Sequence, residues 1–206
     1  MIYALSQLVE VRAGHPFRGS VPVSHAGDDG DAQVIQMRDV SSTGVVAWPT
    51  LVRTSLSGSR SPDWLQDGDL LFAARGTRNY AICLEDVPAR TVCAQYFFVL
   101  RGKKTSAPAA VLPAYLVWQI NSAPSQRYLA SNAEGTDQLS IRRTVLEDMP
   151  IAIPPLDRQQ LLVSLAEAAT RERRCLEALI QTREQQLDAL AHQLLSPRTL
   201  SIDRPY

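Results

Sequence analysis

The stretch of sequence that decides the fold runs from Ile153 to Pro197 and reads IPPLDRQQLLVSLAEAATRERRCLEALIQTREQQLDALAHQLLSP. Its two adjacent prolines end an extended segment, because proline biases the preceding residue away from the helical conformation. Asp157 follows as a predicted N-cap, and Gln160 completes a capping-box pattern. No further proline or glycine interrupts the chain before the final proline of this stretch. The pattern therefore predicts one long helix over residues 157–195.

The predicted helix carries one apolar stripe with the seven-residue spacing of a coiled coil. Eight of ten seam positions between residues 162 and 194 are apolar, and the exceptions are Arg173 and Arg183. The residues expected to form the dimer contact are Leu162, Ala169, Leu176, Ile180, Leu187, Leu190 and Leu194. The sequence predicts no second helix of comparable length, so we expect this helix to pair with another chain.

The preceding residues differ from this helix, because short apolar runs alternate with segments rich in Gly, Pro, Ser and Asp. The predicted helices lie at residues 6–12, 113–121, 125–130 and 144–147, and the predicted strands at 34–37, 69–73, 80–84, 94–100, 139–142 and 151–153. Their irregular alternation indicates the α+β class. We expect a globular mixed α/β domain at residues 1–155, a helical region at 156–196 and a tail at 197–206.

Composition excludes several classes of protein. The chain has 206 residues, of which 45% are hydrophobic and 20% charged, as in globular domains. No apolar run approaches the ~20 residues of a membrane span, and no secretory signal precedes the first elements. The cysteines, Cys83, Cys93 and Cys175, form no CxxC pair, and the histidines show no metal-ligand spacing. We expect buried thiols, no metal site and a cytoplasmic location.

The charged residues give a mixed indication about nucleic acid as a partner. The formal net charge is zero, whereas DNA-binding domains are usually basic. Lys103 and Lys104 are the only lysines among the 21 Lys and Arg residues. Arginine binds guanine and phosphate with two parallel hydrogen bonds. The alternative explanation is a GC-rich genome, which favours arginine codons.

Catalytic motifs are missing from the sequence. It contains no GxSxG, HExxH, P-loop or dinucleotide-binding pattern, and neither motif of an adenine methyltransferase. The run Asp67-Gly68-Asp69 lacks the later ligands of a calcium loop, so it predicts a turn before a strand. The sequence therefore offers no candidate catalytic set.

The strongest candidate for nucleic-acid contact is the loop that follows the predicted strand at residues 69–73. It supplies Arg75, Thr77, Arg78, Asn79 and Tyr80, hence two guanidinium groups, a hydroxyl, an amide and an aromatic ring. These groups bind base edges and phosphates. The alternative interpretation is a solvated hairpin loop.

Weaker candidates come from other polar segments. They are Arg53, Arg60 and the loop residues Gly135, Thr136, Asp137 and Gln138, a loop that ends close to Arg142 and Arg143. A further basic run at residues 101–104 is interpreted as a solubilising surface turn.

Four segments together resemble the specificity (S) subunits of type I restriction-modification systems. They are LVEVRAG at residues 8–14 followed by PF at 16–17, LQDGDLLFAARG at 65–76, the run from YL at 115–116 through GT at 135–136 to LSI at 139–141, and LEDMPIAIPPLDRQ at 146–159. The last is similar to the family pattern LxxLxIPLPPLxEQ, with Arg158 in place of the usual Glu and Met149 in place of a Leu. The order and spacing of the segments span nearly the whole chain.

The resemblance implies a function. S subunits usually carry two target-recognition domains and two helical spacers, and this sequence has one of each. Residues 1–155 would then dock in the major groove of double-stranded DNA, and the helix would be the spacer. Adenine-N6 methyl transfer would belong to a partner subunit carrying S-adenosylmethionine, and a restriction nuclease subunit is a further partner in this family. An antiparallel homodimer would read an interrupted palindrome. Two alternatives remain open: a stand-alone DNA-binding or defence-system accessory protein, and a coiled-coil adaptor without a DNA role.

Overall fold

A computed structural model gives the fold of the protein and describes residues 1–22, 31–41, 43–56, 62–103, 110–135 and 139–195. The chain divides into two compact units, Met1–Val163 and Ser164–Tyr206. The first unit combines helices and sheets, and the described part of the second is the continuation of one helix. The predicted α+β class and the long C-terminal helix are confirmed.

The described part of the first unit contains eleven short strands and four short helices before the long helix begins. The strands are β1 (Ile2–Ala4), β2 (Val9–Ala13), β3 (Ala32–Ile35), β4 (Val52–Thr54), β5 (Leu70–Ala73), β6 (Arg75–Gly76), β7 (Ala81–Cys83), β8 (Thr91–Cys93), β9 (Phe97–Gly102), β10 (Leu139–Ser140) and β11 (Pro150–Ala152). The helices are α1 (Leu5–Leu8), α2 (Pro113–Ile120), α3 (Ala123–Asn132), α4 (Arg143–Glu147) and α5 (Leu156–Leu195), and two 3₁₀ turns cover Met37–Asp39 and Trp48–Thr50.

Most of the strands form two sheets, and β5 is an inner strand of the larger one. One sheet has the order β2-β9-β5-β7 and is antiparallel, and the other has the order β4-β3-β8. Both faces of β5 are covered, since Leu70 and Phe72 join one hydrophobic cluster and Leu71 and Ala73 join another. Burial on both faces explains why this strand is a continuous apolar run in the sequence instead of an alternating one.

The prediction of a helix over residues 6–12 is wrong beyond Leu8. Helix α1 ends there, and strand β2 follows at once. Val9 and Val11 are buried, whereas Glu10 is exposed and forms an ion pair with Arg12. This two-residue alternation is the period of a strand, and pairing with β9 stabilises it. The ion pair with Arg12 lowers the pKa of Glu10.

Two predicted helix caps also differ from the structure. Asp157 lies inside the first turn of α5, which begins at Leu156, so it is not the N-cap residue. Its negative charge there still complements the positive end of the helix dipole. Likewise, the helix predicted at 144–147 starts one residue earlier as α4, with Arg142 at its N-cap and no side-chain capping bond.

The first two turns of α5, up to Val163, belong to the first unit and pack against its core. Gln159 is fully buried: its Nε2 donates to the carbonyl oxygens of Ala110 and Pro154, and its Oε1 accepts from the Leu112 backbone N–H. Leu162 and Val163 pack against the hydrophobic core of this unit. Leu162, which the sequence assigned to the dimer seam, therefore has a contact within its own chain.

The second unit exposes its apolar stripe. Every residue from 167 to 195 is exposed, and the exposed fraction is 54% for Leu176, 58% for Ile180 and 66% for Leu187. Ala169, Leu190 and Leu194 are exposed as well. These seam residues are exposed within the described part of the chain, whereas Leu162 packs against the core of the first unit.

Within the described residues, none of the helices is long and apolar enough to cross a membrane. The same residues contain no group of three or more His, Cys, Asp or Glu side chains able to hold a metal ion. Of the cysteines, Cys93 is buried, which raises the pKa of its thiol to about 12, and Cys83 is half-buried. The expectation of a buried thiol is wrong for Cys175, which is exposed on α5.

Candidate nucleic-acid interface

The loop at residues 74–80 connects two strands of the central sheet. Strands β5 and β7 pair antiparallel up to Phe72 and Ala81, and the Ala73 N–H donates to the Tyr80 carbonyl at 2.8 Å. Beyond this pair the chain leaves the sheet, forms β6 and bends at Thr77 and Arg78. The loop therefore starts and ends on a buried and hydrogen-bonded hairpin, which holds its polar side chains on a rigid base.

The two guanidinium groups of this loop are exposed. No carboxylate in the described part of the chain forms an ion pair with Arg75 or Arg78. Arg78 lies over the ring of Tyr80, with its guanidinium carbon 5.7 Å from the ring centre. Tyr80 is half-buried, and this burial raises the pKa of its hydroxyl. The ring thus orients one guanidinium group without neutralising its charge, and both groups can bind an anion.

Asn79 has a different position from the one that the sequence suggested. It is buried, and its side-chain N–H donates to the Ala73 carbonyl at 2.9 Å. This hydrogen bond closes the loop on itself, so the Asn79 amide shapes the loop from inside. Gly76 allows the turn, since its φ of 138° is unfavourable for other residues.

The structure brings together two loops that the sequence presented separately. Strand β6 pairs with β10, so Arg75 lies opposite Ser140 and Gly76 opposite Leu139. Glu134 and Ser140 exchange two backbone hydrogen bonds of 3.0 and 2.8 Å, which close the second loop. Gly135 has a φ of 94° at the start of this loop, and Thr136, Asp137 and Gln138 lie outside the described residues.

Arg142 joins this interface, although it was not among the predicted contact residues. Its Nη2 lies 2.5 Å from Glu134 Oε1, and the two side chains are 68% and 52% exposed. Such exposed pairs contribute only about 0–1 kcal/mol, so a phosphate can replace the carboxylate. Its position beside the second loop was visible in the sequence. The β6–β10 pairing shows that Arg142 follows the strand partner of Arg75, Ser140, by two residues.

The remaining candidates are dispersed. Arg53 is exposed on β4, which belongs to a different sheet from β6. Arg60 lies outside the described residues. In the basic run at 101–104, the Lys103 ammonium donates to the Ser6 carbonyl at 2.6 Å, and Lys104 is outside the described residues.

The Arg101 side chain is bound to other residues within the fold. Its Nε donates to Asp69 Oδ1 at 2.7 Å, and its Nη2 donates to Asp69 Oδ2 and to the Trp64 carbonyl at 2.5 and 2.9 Å. The bond to Asp69 raises the pKa of Arg101. Asp69 therefore serves an internal ion pair, and Gly68 beside it has a φ of 82° in a turn. The predicted turn before β5 is confirmed.

Comparison with known proteins supports the fold. No protein-family model and no curated protein matches the sequence. Among solved structures, the type I restriction-modification S subunit from M. genitalium aligns with 95% of this chain at 15% identity and a TM-score of 0.54. The HsdS subunit from Thermoanaerobacter tengcongensis aligns with 87% of it at 16% identity and a TM-score of 0.52.

A third similar chain belongs to a structure that concerns complex assembly and conformational transition of the type I R-M system. It aligns with 100% of this chain at 18% identity and a TM-score of 0.70. The chain spans about half of the length of these proteins, namely 46% of the M. genitalium subunit, 39% of the Thermoanaerobacter subunit and 51% of the third chain. It therefore has the fold of the S subunits of type I restriction-modification systems over about half of their length, as the resemblance in its sequence predicted.

Proposed function

We propose that this chain is a non-catalytic DNA sequence-recognition subunit of a type I restriction-modification complex. The observation that carries the proposal is the junction of β6 and β10. It joins two polar loops at one edge of the S-subunit fold, where Arg75 and Arg78 have no carboxylate partner among the described residues. Uncompensated guanidinium groups on a rigid loop are suited to a polyanion.

Within this proposal the residues have distinct roles. Arg75 and Arg78 contact guanine edges or phosphates in the major groove, and Thr77 supplies a neutral hydroxyl. The Tyr80 ring supports the Arg78 guanidinium from below. Arg142 exchanges Glu134 for a phosphate, and the loop at residues 135–138 contributes further contacts. Arg53 and Arg60 remain weaker candidates at the margin.

The proposed partners supply what this chain lacks. Methyl transfer to adenine N6 takes place on methyltransferase subunits that bind S-adenosylmethionine, and a restriction nuclease subunit completes some complexes of this kind. The formal net charge of zero fits a shared interface, because those subunits provide part of the field that attracts phosphate. Such a complex works on cytoplasmic DNA.

We further propose that the seam of α5 forms an antiparallel homodimer. The support is the exposed stripe of Leu176, Ile180, Leu187, Leu190 and Leu194, which a second copy can cover. A two-fold dimer presents the same DNA-contacting surface twice in opposed orientation. Its target is then an interrupted palindrome, and the length of α5 sets the gap between the two halves.

A salt-dependent DNA-binding assay tests the recognition role. Once methylome sequencing of the host with and without this gene has given the target, duplexes carrying it are titrated with the wild type, Arg75→Ala and Arg78→Ala. Each variant should lose about 1–3 kcal/mol of binding, and loss of a base contact should relax one position of the target. Arg127→Ala is the matched control, since Arg127 is exposed on α3. Unchanged affinity and preference in both loop variants would show that this loop does not contact DNA.

Light scattering tests the assembly. We expect a dimer at micromolar concentration, and deletion of the heptad at residues 177–183 should shorten the target gap by ~10 Å, or about three base pairs. A monomer, or a target with unrelated halves, contradicts the homodimer. A dimer with no salt-dependent DNA binding would instead favour the coiled-coil adaptor.

A further inference from the structure

A short turn between β8 and β9 exposes two neighbouring side chains. Residues 91–94 and Phe97 on either side are buried, whereas Gln95 and Tyr96 between them are exposed, Tyr96 by 41%. Neither side chain makes a hydrogen bond to another described residue. An aromatic ring and an amide are therefore both accessible at this tight connection.

The turn lies directly beside the Arg75 loop. The Ala74 N–H donates to the Tyr96 carbonyl at 2.9 Å, which extends the β5–β9 pairing past its last register pair, Ala73 with Phe97. Arg75 follows Ala74 and pairs on its other side with Ser140. Three segments therefore lie side by side at Ala74 and Arg75. They are the loop at residues 74–80, the loop closed by β10, and the turn at Gln95 and Tyr96.

The backbone holds the turn in place. The Ala94 N–H donates to the Ile35 carbonyl at 2.9 Å, and the Phe97 N–H donates to the Ala94 carbonyl at 3.1 Å. On the other side, Gly14 approaches so closely that an added Cβ would lie 2.2 Å from the Ala94 carbonyl oxygen. Only glycine permits this contact. This close contact fixes the position of the turn that carries the two exposed side chains.

We propose that Gln95 and Tyr96 form a third DNA-contacting element, with Gln95 reading an adenine edge and Tyr96 binding the adjacent phosphate. The inference rests on the proposed function and adds specificity-determining residues to it. A glutamine amide offers one donor and one acceptor, which match N7 and N6 of adenine in the major groove. A tyrosine hydroxyl donates to phosphate and positions the protein without reading sequence. The two residues thus have separable effects.

The experiment uses the full chain together with its methyltransferase subunits. Binding is measured on the methylated target identified for the wild type and on duplexes in which each A·T pair is replaced singly. Gln95→Ala should bind the target roughly 5- to 100-fold more weakly and lose its preference at one A·T position. Tyr96→Phe should weaken all duplexes alike and leave the salt dependence unchanged, because a neutral hydroxyl releases no counterion from phosphate. Gln66→Ala is the matched control, because Gln66 is exposed at the opposite end of β5.

A second variant distinguishes loss of a DNA contact from loss of folding. Gln95→Glu keeps the size of the side chain and replaces its donor by a negative charge, so it should lose at least as much affinity while its unfolding midpoint stays at that of Gln66→Ala. If the wild type binds its target specifically and Gln95→Ala and Tyr96→Phe match it in affinity and preference, the inference is wrong and the proposed function stands. If the wild type shows no sequence preference, the proposed function fails and the inference fails with it.

Discussion

Two Arg-Gly dipeptides lie near opposite ends of strand β5 and have opposite environments. Arg75-Gly76 follows β5, and Arg101-Gly102 ends β9, which runs antiparallel to β5. The Arg101 side chain is 19% exposed and bonds to Asp69, which is 3% exposed. Arg75 is exposed and has no ion pair with a described carboxylate. The difference teaches that a neighbouring carboxylate, not the basic run itself, decides whether an arginine stabilises the fold or remains available to a ligand.

The comparison can be tested by ranking variants by their loss of unfolding free energy. All are measured by urea denaturation at one protein concentration, because self-association would otherwise shift the apparent stability.

The largest effect is expected for Arg101→Ala. It leaves Asp69 buried with only the Gln66 backbone N–H as a donor besides water, so the free energy of unfolding should fall by about 3 kcal/mol, the lower end for breaking a buried pair. The double variant Arg101→Ala with Asp69→Asn should recover part of the loss, because the uncompensated charge is gone. A loss below about 0.5 kcal/mol, as for surface substitutions, would remove the distinction between the two arginines.

Gly14→Ala should have the next effect. Its Cβ would lie 2.2 Å from the Ala94 carbonyl oxygen, so backbone must shift on one side or the other. Overpacking of this kind costs roughly 1–3 kcal/mol. Gly102→Ala is the control, since a Cβ there meets no atom within 4 Å. Equal stability of the two variants would show that the close approach is not required.

Asn79→Ala should cost about 1 kcal/mol, because one buried hydrogen bond to the Ala73 carbonyl is lost. This variant separates the shape of the loop from its proposed DNA contacts. We expect weaker DNA binding together with the lower stability, in contrast to the arginine variants of the same loop. Wild-type stability with weaker DNA binding would assign Asn79 to DNA contact after all.

The smallest effect is expected for Arg75→Ala and Arg78→Ala. Their unfolding free energy should stay within about 0.5 kcal/mol of the wild type, since both side chains are exposed and unpaired within the described chain. A destabilisation as large as that of Arg101→Ala would mean that the loop arginines also stabilise the fold.

Much of the fold was predictable, and the reason differs between regions. The strand at Leu70–Ala73 and the helix at Leu156–Leu195 agree with their sequence predictions within one residue at each end. Long or fully buried elements have strong local patterns. The segment at residues 6–12 was mispredicted because a four-residue helix and a five-residue strand are each too short for periodicity to separate.

The candidate site was only partly predictable. The sequence indicated the loop at residues 74–80 and the loop around Gly135, because their side-chain chemistry suits DNA. It did not indicate that the two loops share a strand pair, that Asn79 points inward, or that Gln95 and Tyr96 lie beside Arg75. A glutamine and a tyrosine in a turn carry no signal of their own.

The sequence alone thus determined the elements with local causes: the α+β class, the long helix, its apolar seam and the turn before β5. Tertiary structure alone decided which side chains became partners. Asp69 and Arg101 are 32 residues apart in sequence, and Arg75 and Ser140 are brought together by β6 and β10. Strand register sets these distances, and register depends on how the whole core packs. Local sequence therefore specifies which side chains could bind an anion, and the packed sheet determines which of them remain without an internal partner among the described residues.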